Sequence, residues 1–590
     1  MKRTIRLLFA LFTVLFLAQA FAAENQSSEL LGKIQEEYWQ FQLKNNLYLR
    51  LTLGYPVERL PDVSLEQVKS ETAFYGSLLD RLKKVNAKDL SHDEWLNYEL
   101  IKKESQNNVE YEPFHRLAFQ VTPYASPIPL STRVYSEFQF KEPADCAQYL
   151  KLLSLYPTFI DKIRLHTEQQ ARDGIYVSKD ELALVTGLLR SMIQEGAASQ
   201  FAVKSERLAS VASVPADFQK DVAAKIDRDV NPSLKRLVDF LSGDYQSKAP
   251  SAVGLSQYPG GAAFYRYLAR AHTTMDVTPE EVHQIGLKRV AELNAQMDRI
   301  RESLGFKGTK AEFHKFLKTD PKFIPKTPGQ IGDTLMGFVR RIEPELDAWF
   351  LRKPAAAYGV KRMEPSLEGS MTFGYYEQPT PVNPMGIYYY NGSNLSERPL
   401  YNSGSLIYHE LVPGHHFQIC LQSESTQLPM FRKYSYHTAF IEGWAEYASG
   451  LAGEMGMYRD PYEEYGRLAA EMFLTVRLVV DTGMNALGWP RDRAMQYMRD
   501  NLLESETQIQ TESLRYSCDI PGQALAYKMG SMKIRELRET AKAALGEKFD
   551  IRRFHDLVLS GASLPMTVLE QQVDWYIGQA NGKEKENTGK

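Results

Sequence analysis

The chain has 590 residues, 43% of them apolar and 24% charged, with 70 Lys+Arg against 73 Asp+Glu. That balance belongs to a globular protein and excludes wholesale disorder and collagen-like repeats. With no surplus of basic residues, binding a nucleic-acid backbone is not the expected task. Three cysteines, Cys146, Cys420 and Cys518, allow one disulfide at most. The absence of C-x-x-C argues against a cysteine zinc site or a thioredoxin-like centre.

Residues 1–23 read as a secretory signal peptide. Lys2, Arg3 and Arg6 precede the apolar run Leu7 to Ala18, and Ala20-Phe21-Ala22 forms an A-x-A cleavage pattern. The apolar run is shorter than the ~20 residues needed to span a bilayer. The expected location is therefore periplasmic or secreted, with no stable membrane insertion after cleavage.

Beyond this segment the texture is helical. Apolar residues recur three and four apart in Glu66 to Val85, Cys146 to Leu165, Lys179 to Ile193, Ala216 to Leu241, Pro279 to Leu304 and Asp333 to Phe350. Ser64 and Thr278-Pro279-Glu280-Glu281 carry helix-start signals. The region Glu364 to Ser396 breaks the pattern. It is rich in Gly, Pro, Asn and aromatics, and Met371 to Tyr376 and Gly386 to Tyr390 are expected as short strands. Lys583 to Lys590 reads as a polar, disordered tail.

Histidine points to the chemistry. The chain has eleven, and His409, His415, His416 and His437 are clustered within one short stretch. The core is His409-Glu410-Leu-Val-Pro413-Gly414-His415-His416, close to the H-E-x-x-H zinc motif but with proline where the second histidine would stand. In a straight helix His409 and His415 would lie about 240° apart around the axis. Pro413 distorts the helix and Gly414 accepts the unusual backbone that follows. If the Pro-Gly pair bulges out, His415 takes the second ligand position. Glu410 then stands beside the first ligand as general base. Glu442 is expected as third ligand, on a helix whose Phe440, Trp444 and Tyr447 define the packed side. Glu446 shares its face as a supporting residue. A His/His/Glu set favours Zn2+.

The motif series resembles the bacterial "domain of unknown function 885" family. It comprises His409-Glu410-Leu-Val-Pro-Gly-His415-His416, Glu442-Gly-Trp-Ala-Glu-Tyr447, Arg477-Leu-Val-Val-Asp481-Thr-Gly483, Pro521-Gly-Gln523-Ala-Leu-Ala-Tyr527-Lys-Met-Gly530 and Arg553-Phe-His555-Asp556. The resemblance covers nearly the whole exported chain. It implies a zinc metallopeptidase with a mainly α, two-lobed fold related to thimet oligopeptidase and angiotensin-converting enzyme, with a long central cleft and a small β rim. The expected domain organisation is a single large helical unit over 24–580, with an N-terminal lobe to about 255, a catalytic lobe from about 256, and a tail at 581–590. By that likeness His409, His415 and Glu442 hold zinc and Glu410 is the base. The family pattern often carries histidine where this chain has Asn485.

Tyr527 shares a helix face with Gln523, and either Tyr527 or His416 is expected to steady the oxyanion. Arg477, Arg515 and Arg535 could hold a substrate carboxylate bidentately, but an arginine in such a place is more often a salt-bridge partner. Tyr388, Tyr389 and Tyr390 lie on the rim strand, where backbone could pair with an extended peptide, with Tyr389 facing substrate. The expected function is a zinc peptidase acting on short peptides. The alternatives are a zinc hydrolase of non-peptide amides or esters and a metal-retaining protein without catalysis.

Overall fold

The computed structural model describes residues 26–368, 374–380 and 383–582. The signal peptide, Met371 to Phe373 of the first expected strand and the tail from Lys583 lie outside the described residues. Helix takes up 69% and strand 3%, so the fold is mainly α.

The expected helices form with shifts that local chemistry explains. Leu65–Leu82 starts where the Ser64 side chain accepts from Gln67 N. Pro279–Ser303 starts with a capping box, in which Thr278 and Glu281 satisfy each other's backbone N–H. The expected helix from Ala216 to Leu241 is interrupted instead. It runs Phe218–Lys225, widens into a π turn at Ile226–Val230 and resumes at Asn231–Ser242. Pro232 removes one helical donor at that point, and the wider turn accommodates the loss.

Three strands form one sheet in the order β1 (Ala357–Arg362), β3 (Met385–Tyr390), β2 (Tyr375–Glu377). β1 runs parallel to β3, and β2 runs antiparallel to it. β1 lacked a clear sequence signal because its burial does not alternate. Since β3 is paired on both sides, its backbone has no free edge for a peptide, contrary to expectation. Among the described residues the open edges belong to β1 and β2. The sheet packs on the Pro328–Ile342 helix, where Gly332 lets the Tyr390 ring approach closely.

Three apolar cores hold these elements. One spans mostly residues 47–282. A second joins residues 31–101 to residues 331–573 and encloses Tyr408, Leu411, Phe440 and Trp444 beneath the histidine cluster. The third spans residues 253–524. The three cysteines are buried and free. Among the described residues no helix is long and apolar enough to cross a membrane.

The tightest helix crossing brings Thr438–Glu454 onto Leu525–Leu545. A Cβ at Gly530 would lie 1.9 Å from the Ala439 carbonyl oxygen, and one at Gly443 would lie 2.6 Å from Gly530 C. This contact sets Glu442 beside Tyr527. Gly530→Ala must therefore push the helices apart. Overpacking of this kind costs about 1–3 kcal/mol, so the denaturant midpoint should fall with an unchanged m-value. A midpoint equal to wild type would refute the close crossing.

Candidate functional site

The site starts at a helix break. Helix α1 (Ser403–Glu410) stops at Glu410, and α2 (His415–Glu424) begins at His415. The expected bulge within one helix is instead a complete interruption over Leu411–Gly414. Pro413 supplies no N–H to continue the ladder. Gly414 folds back so closely that a Cβ would lie 1.8 Å from the His409 carbonyl oxygen, which only glycine permits. Two bonds close the excursion. Phe417 N donates to the Leu411 carbonyl at 3.3 Å. Trp444 Nε1, on α3 (Thr438–Glu454), donates to the Pro413 carbonyl at 2.9 Å.

This break turns His415 toward His409, and the ring centroids are 4.7 Å apart. Glu442 Oε2 lies 3.5 Å from His409 Nε2 and 3.3 Å from His415 Nε2. One ligand atom from each of the three residues falls within 4.8 Å of the other two. Two ligands about 2.0–2.1 Å from one ion at a tetrahedral angle stand about 3.3–3.4 Å apart. Glu442 Oε2 is buried and accepts no hydrogen bond, so this trio fits a divalent cation.

Electrostatics agree with that fit. Burial acts to raise Glu442, yet His415 and His409 hold its carboxyl well below the usual range. Burial acts to lower His415, and the Glu442 carboxylate outweighs it, so the imidazole is raised. Glu410 lines the same cavity, and burial pushes its carboxyl up against the opposing pull of the two histidines.

The other expected residues divide. Tyr527 lines the cavity at the first turn of the Leu525–Leu545 helix, within electrostatic reach of Glu442. His416 does not join the trio. It is fully buried, its Nε2 lies 3.1 Å from the Ala356 carbonyl, and its Nδ1 lies 2.9 Å from the Tyr376 hydroxyl. The carbonyl only accepts, so Nε2 carries the proton and Tyr376 donates to Nδ1. Burial lowers His416 to about 4, keeping it neutral. It meets the cavity through Tyr376, a lining residue that sequence reasoning missed. Gly386 leaves room for this pair, since a Cβ there would lie 2.3 Å from His416 Nδ1.

Glu446 does not contact Glu442 through a hydrogen bond. Its Oε1 accepts from Lys528 Nζ at 2.7 Å, and Lys528 also donates to Glu471 at 2.6 Å. Gln523 accepts from Arg515 Nη2 at 2.9 Å. Tyr389 stacks on Tyr375 and is not among the cavity-lining residues; Tyr375, Tyr376 and Glu377 of β2 take that place. Asn485 is fully buried and bonds Asp481, Tyr516 and Leu255, so it serves packing. Arg535 is half-exposed beside Glu454, His437 pairs with Glu104, and His555 bonds Tyr447.

Lys528 also escaped sequence reasoning. A single lysine in an apolar helix segment could have flagged it, because a buried ammonium needs buried carboxylates. Burial pushes Glu446 up. Burial acts likewise on Glu471, but Lys528, Arg289 and Arg467 hold it down. Lys528→Met strands Glu446 without a counter-charge. The expected loss is about 3–5 kcal/mol at neutral pH, narrowing as the pH falls and Glu446 takes up a proton. Parallel denaturation curves of the two proteins from neutral to acid pH would test this, and a constant gap would contradict it.

The cavity has a volume of about 1740 Å3. One wall comes from Asn46 to Val57 and Arg133 to Gln148, and the facing wall from β2, α1, α3 and α4 (Pro461–Asn485).

A structure described as "the putative lipoprotein from Colwellia psychrerythraea" aligns with TM-score 0.85 and 26% identity over 94% of this chain and 99% of that one. A second, described as "a putative lipoprotein of unknown function from Shewanella oneidensis", aligns with TM-score 0.71 and 16% identity over 92% and 99%. An oligoendopeptidase F-labelled structure from Bacillus anthracis str. Ames aligns at TM-score 0.25 and 12% identity over 90% and 98%, too low to carry an argument. No curated protein matches this chain. The family model described as "Bacterial protein of unknown function (DUF885)" matches residues 49–573, a span that includes every residue of the site, and the chain belongs to that family.

Proposed function

We propose that this protein is an exported zinc-dependent peptidase that hydrolyses short peptides. The observation that carries the reading is the convergence of His409, His415 and Glu442, with Glu442 Oε2 3.5 and 3.3 Å from the two Nε2 atoms, and with Glu410 lining the same cavity. The cavity volume of about 1740 Å3 exceeds the roughly 300–1,000 Å3 typical of small-molecule pockets and suits an extended oligopeptide.

His409, His415 and Glu442 would hold the ion, which when bound supplies Lewis-acid polarisation of a carbonyl and a more acidic water. Glu410 is the base. Its carboxylate takes a proton from the attacking water and passes it to the departing amine. Tyr527 faces the same space and donates its hydroxyl proton to the oxygen of the tetrahedral intermediate. Tyr376 is oriented by His416 with its proton committed to that imidazole, so it offers substrate an acceptor rather than a donor. Trp444 holds the Leu411–Gly414 excursion and with it the orientation of His415.

Export rests on the leader-like residues 1–23. Division into lobes near residue 255 belongs to the same proposal, as do a peptide partner and the absence of nucleic-acid binding and of stable membrane insertion.

Glu410→Gln should keep about one zinc per chain by elemental analysis and lower kcat by about 10²–10⁴-fold. Glu442→Ala should lose both metal and activity. A Glu410→Gln protein with full turnover would remove the base assignment. Stoichiometric zinc in Glu442→Ala would remove the ligand assignment. A wild-type protein that cuts no member of a peptide library, with or without added zinc, would defeat the reading.

A further inference from the structure

Two guanidinium groups beside Tyr527 share one carboxylate. Arg477 is 5% exposed and lines the cavity. Its Nε donates to the Tyr516 hydroxyl at 2.7 Å and its Nη2 to Glu512 Oε2 at 3.2 Å, whereas Nη1 has no hydrogen-bond partner among the described residues. The rings of Phe473 and Tyr527 lie 4.4 and 4.8 Å from its Cζ and fix its plane. Arg515 donates Nη1 to Glu512 Oε1 at 3.4 Å and Nη2 to Gln523 at 2.9 Å, and its side chain remains 21% exposed.

Glu512 cannot serve both fully. Gln508 and Tyr516 also donate to it. Among the described residues no other carboxylate is in direct contact with either guanidinium. The neighbouring acids are engaged or hard to ionise. Asp481 accepts from Tyr265, Asn485 and Gly522, and burial pushes it to about 7. Asp519 accepts from the N–H groups of Tyr124 and Ala125, and burial raises it. Burial also pushes Glu504 to about 7. A buried cationic donor without a partner is costly unless a ligand completes it.

Tyr527 connects this pair to the metal centre. Its ring lies against Arg477, it is within electrostatic reach of Arg515, and burial together with the Glu442 carboxylate raises its phenol. We propose that Arg477, which lines the cleft, and Arg515, joined to it through Glu512, form a carboxylate subsite that holds the C-terminal carboxylate of a peptide. Two guanidiniums against one internal acid leave a positive charge that a planar carboxylate matches by paired hydrogen bonds. The inference rests on the peptidase reading and narrows it. A chain end anchored one tyrosine away from the trio places the cut near that end, so short C-terminal fragments are released.

The test uses full-length Glu410→Gln protein loaded with zinc and three forms of one peptide: the free acid, the C-terminal amide, and the amide with glutamate as last residue. Calorimetry should give a Kd at least tenfold lower for the free acid than for either amide. Arg515→Gln should bring that ratio near one, and Arg515→Lys should restore part of it. Because the ligand comparison on the parent protein needs no arginine variant, a misfolded variant leaves the test intact. Equal binding of acid and plain amide overturns the subsite. Equal binding of the free acid and the glutamate amide assigns the carboxylate to a side chain and overturns the terminal anchor. Wild-type protein that cuts peptides regardless of their C-terminus keeps the peptidase reading and overturns this inference. Discrimination of acid from amide without cleavage by wild type does the reverse.

Discussion

A largely buried carboxylate must find positive charge, and the site is organised around meeting that demand for Glu442. Two imidazoles converge on one of its oxygens, which receives no hydrogen bond from any donor. Such an arrangement is stable only with a cation among the three groups or a proton on an imidazole. Placing the two imidazoles requires the break at Leu411–Gly414, and that break requires the Trp444 bond to Pro413. Trp444 lies on the same helix as Glu442, so one element supplies the acid and secures the segment that aims its partner.

The same demand recurs around the cavity with different solutions. Lys528 bridges Glu446 and Glu471, and Arg289 and Arg467 also pair with Glu471, so these cations are committed to internal acids. Arg477 and Arg515 share Glu512 and keep positive charge in reserve. The two sets share helix α4, which carries Glu471 of the first and Arg477 of the second. Tyr527 and Lys528 are neighbours on the helix that packs against the one bearing Glu442 and Glu446, and α4 brings Arg477 against the Tyr527 ring at the cleft wall. In this way core geometry and the expected direction of substrate binding are coupled.

Much of this was legible in the residues. Helix phase follows from apolar spacing, and helix starts follow from Ser64 and the Thr278–Glu281 box, because both act between near neighbours. Clustered histidines around a Pro-Gly pair marked the metal candidates, because so many polar rings in an apolar segment need a partner. Less was legible where the partner is distant. His416 was expected to face substrate beside the ligand His415, yet one residue along the helix turns the ring by about 100°. That turn directs it to Ala356 and Tyr376 instead of the cavity. Glu446 looked like a companion of Glu442 until Lys528, 82 residues away, claimed it.

The amino-acid order by itself determined the mainly helical class, a distortion of the helix after Glu410 and the set of groups able to bind a cation, since each depends on contacts a few residues long. Tertiary structure alone decided which rings face the cleft, that β3 is the central strand, and which cations remain unsatisfied. Those outcomes depend on side chains tens to hundreds of residues apart meeting in a low-dielectric interior. There, a single hydrogen bond from Lys528 or Tyr376 decides whether a charged or polar group stays available.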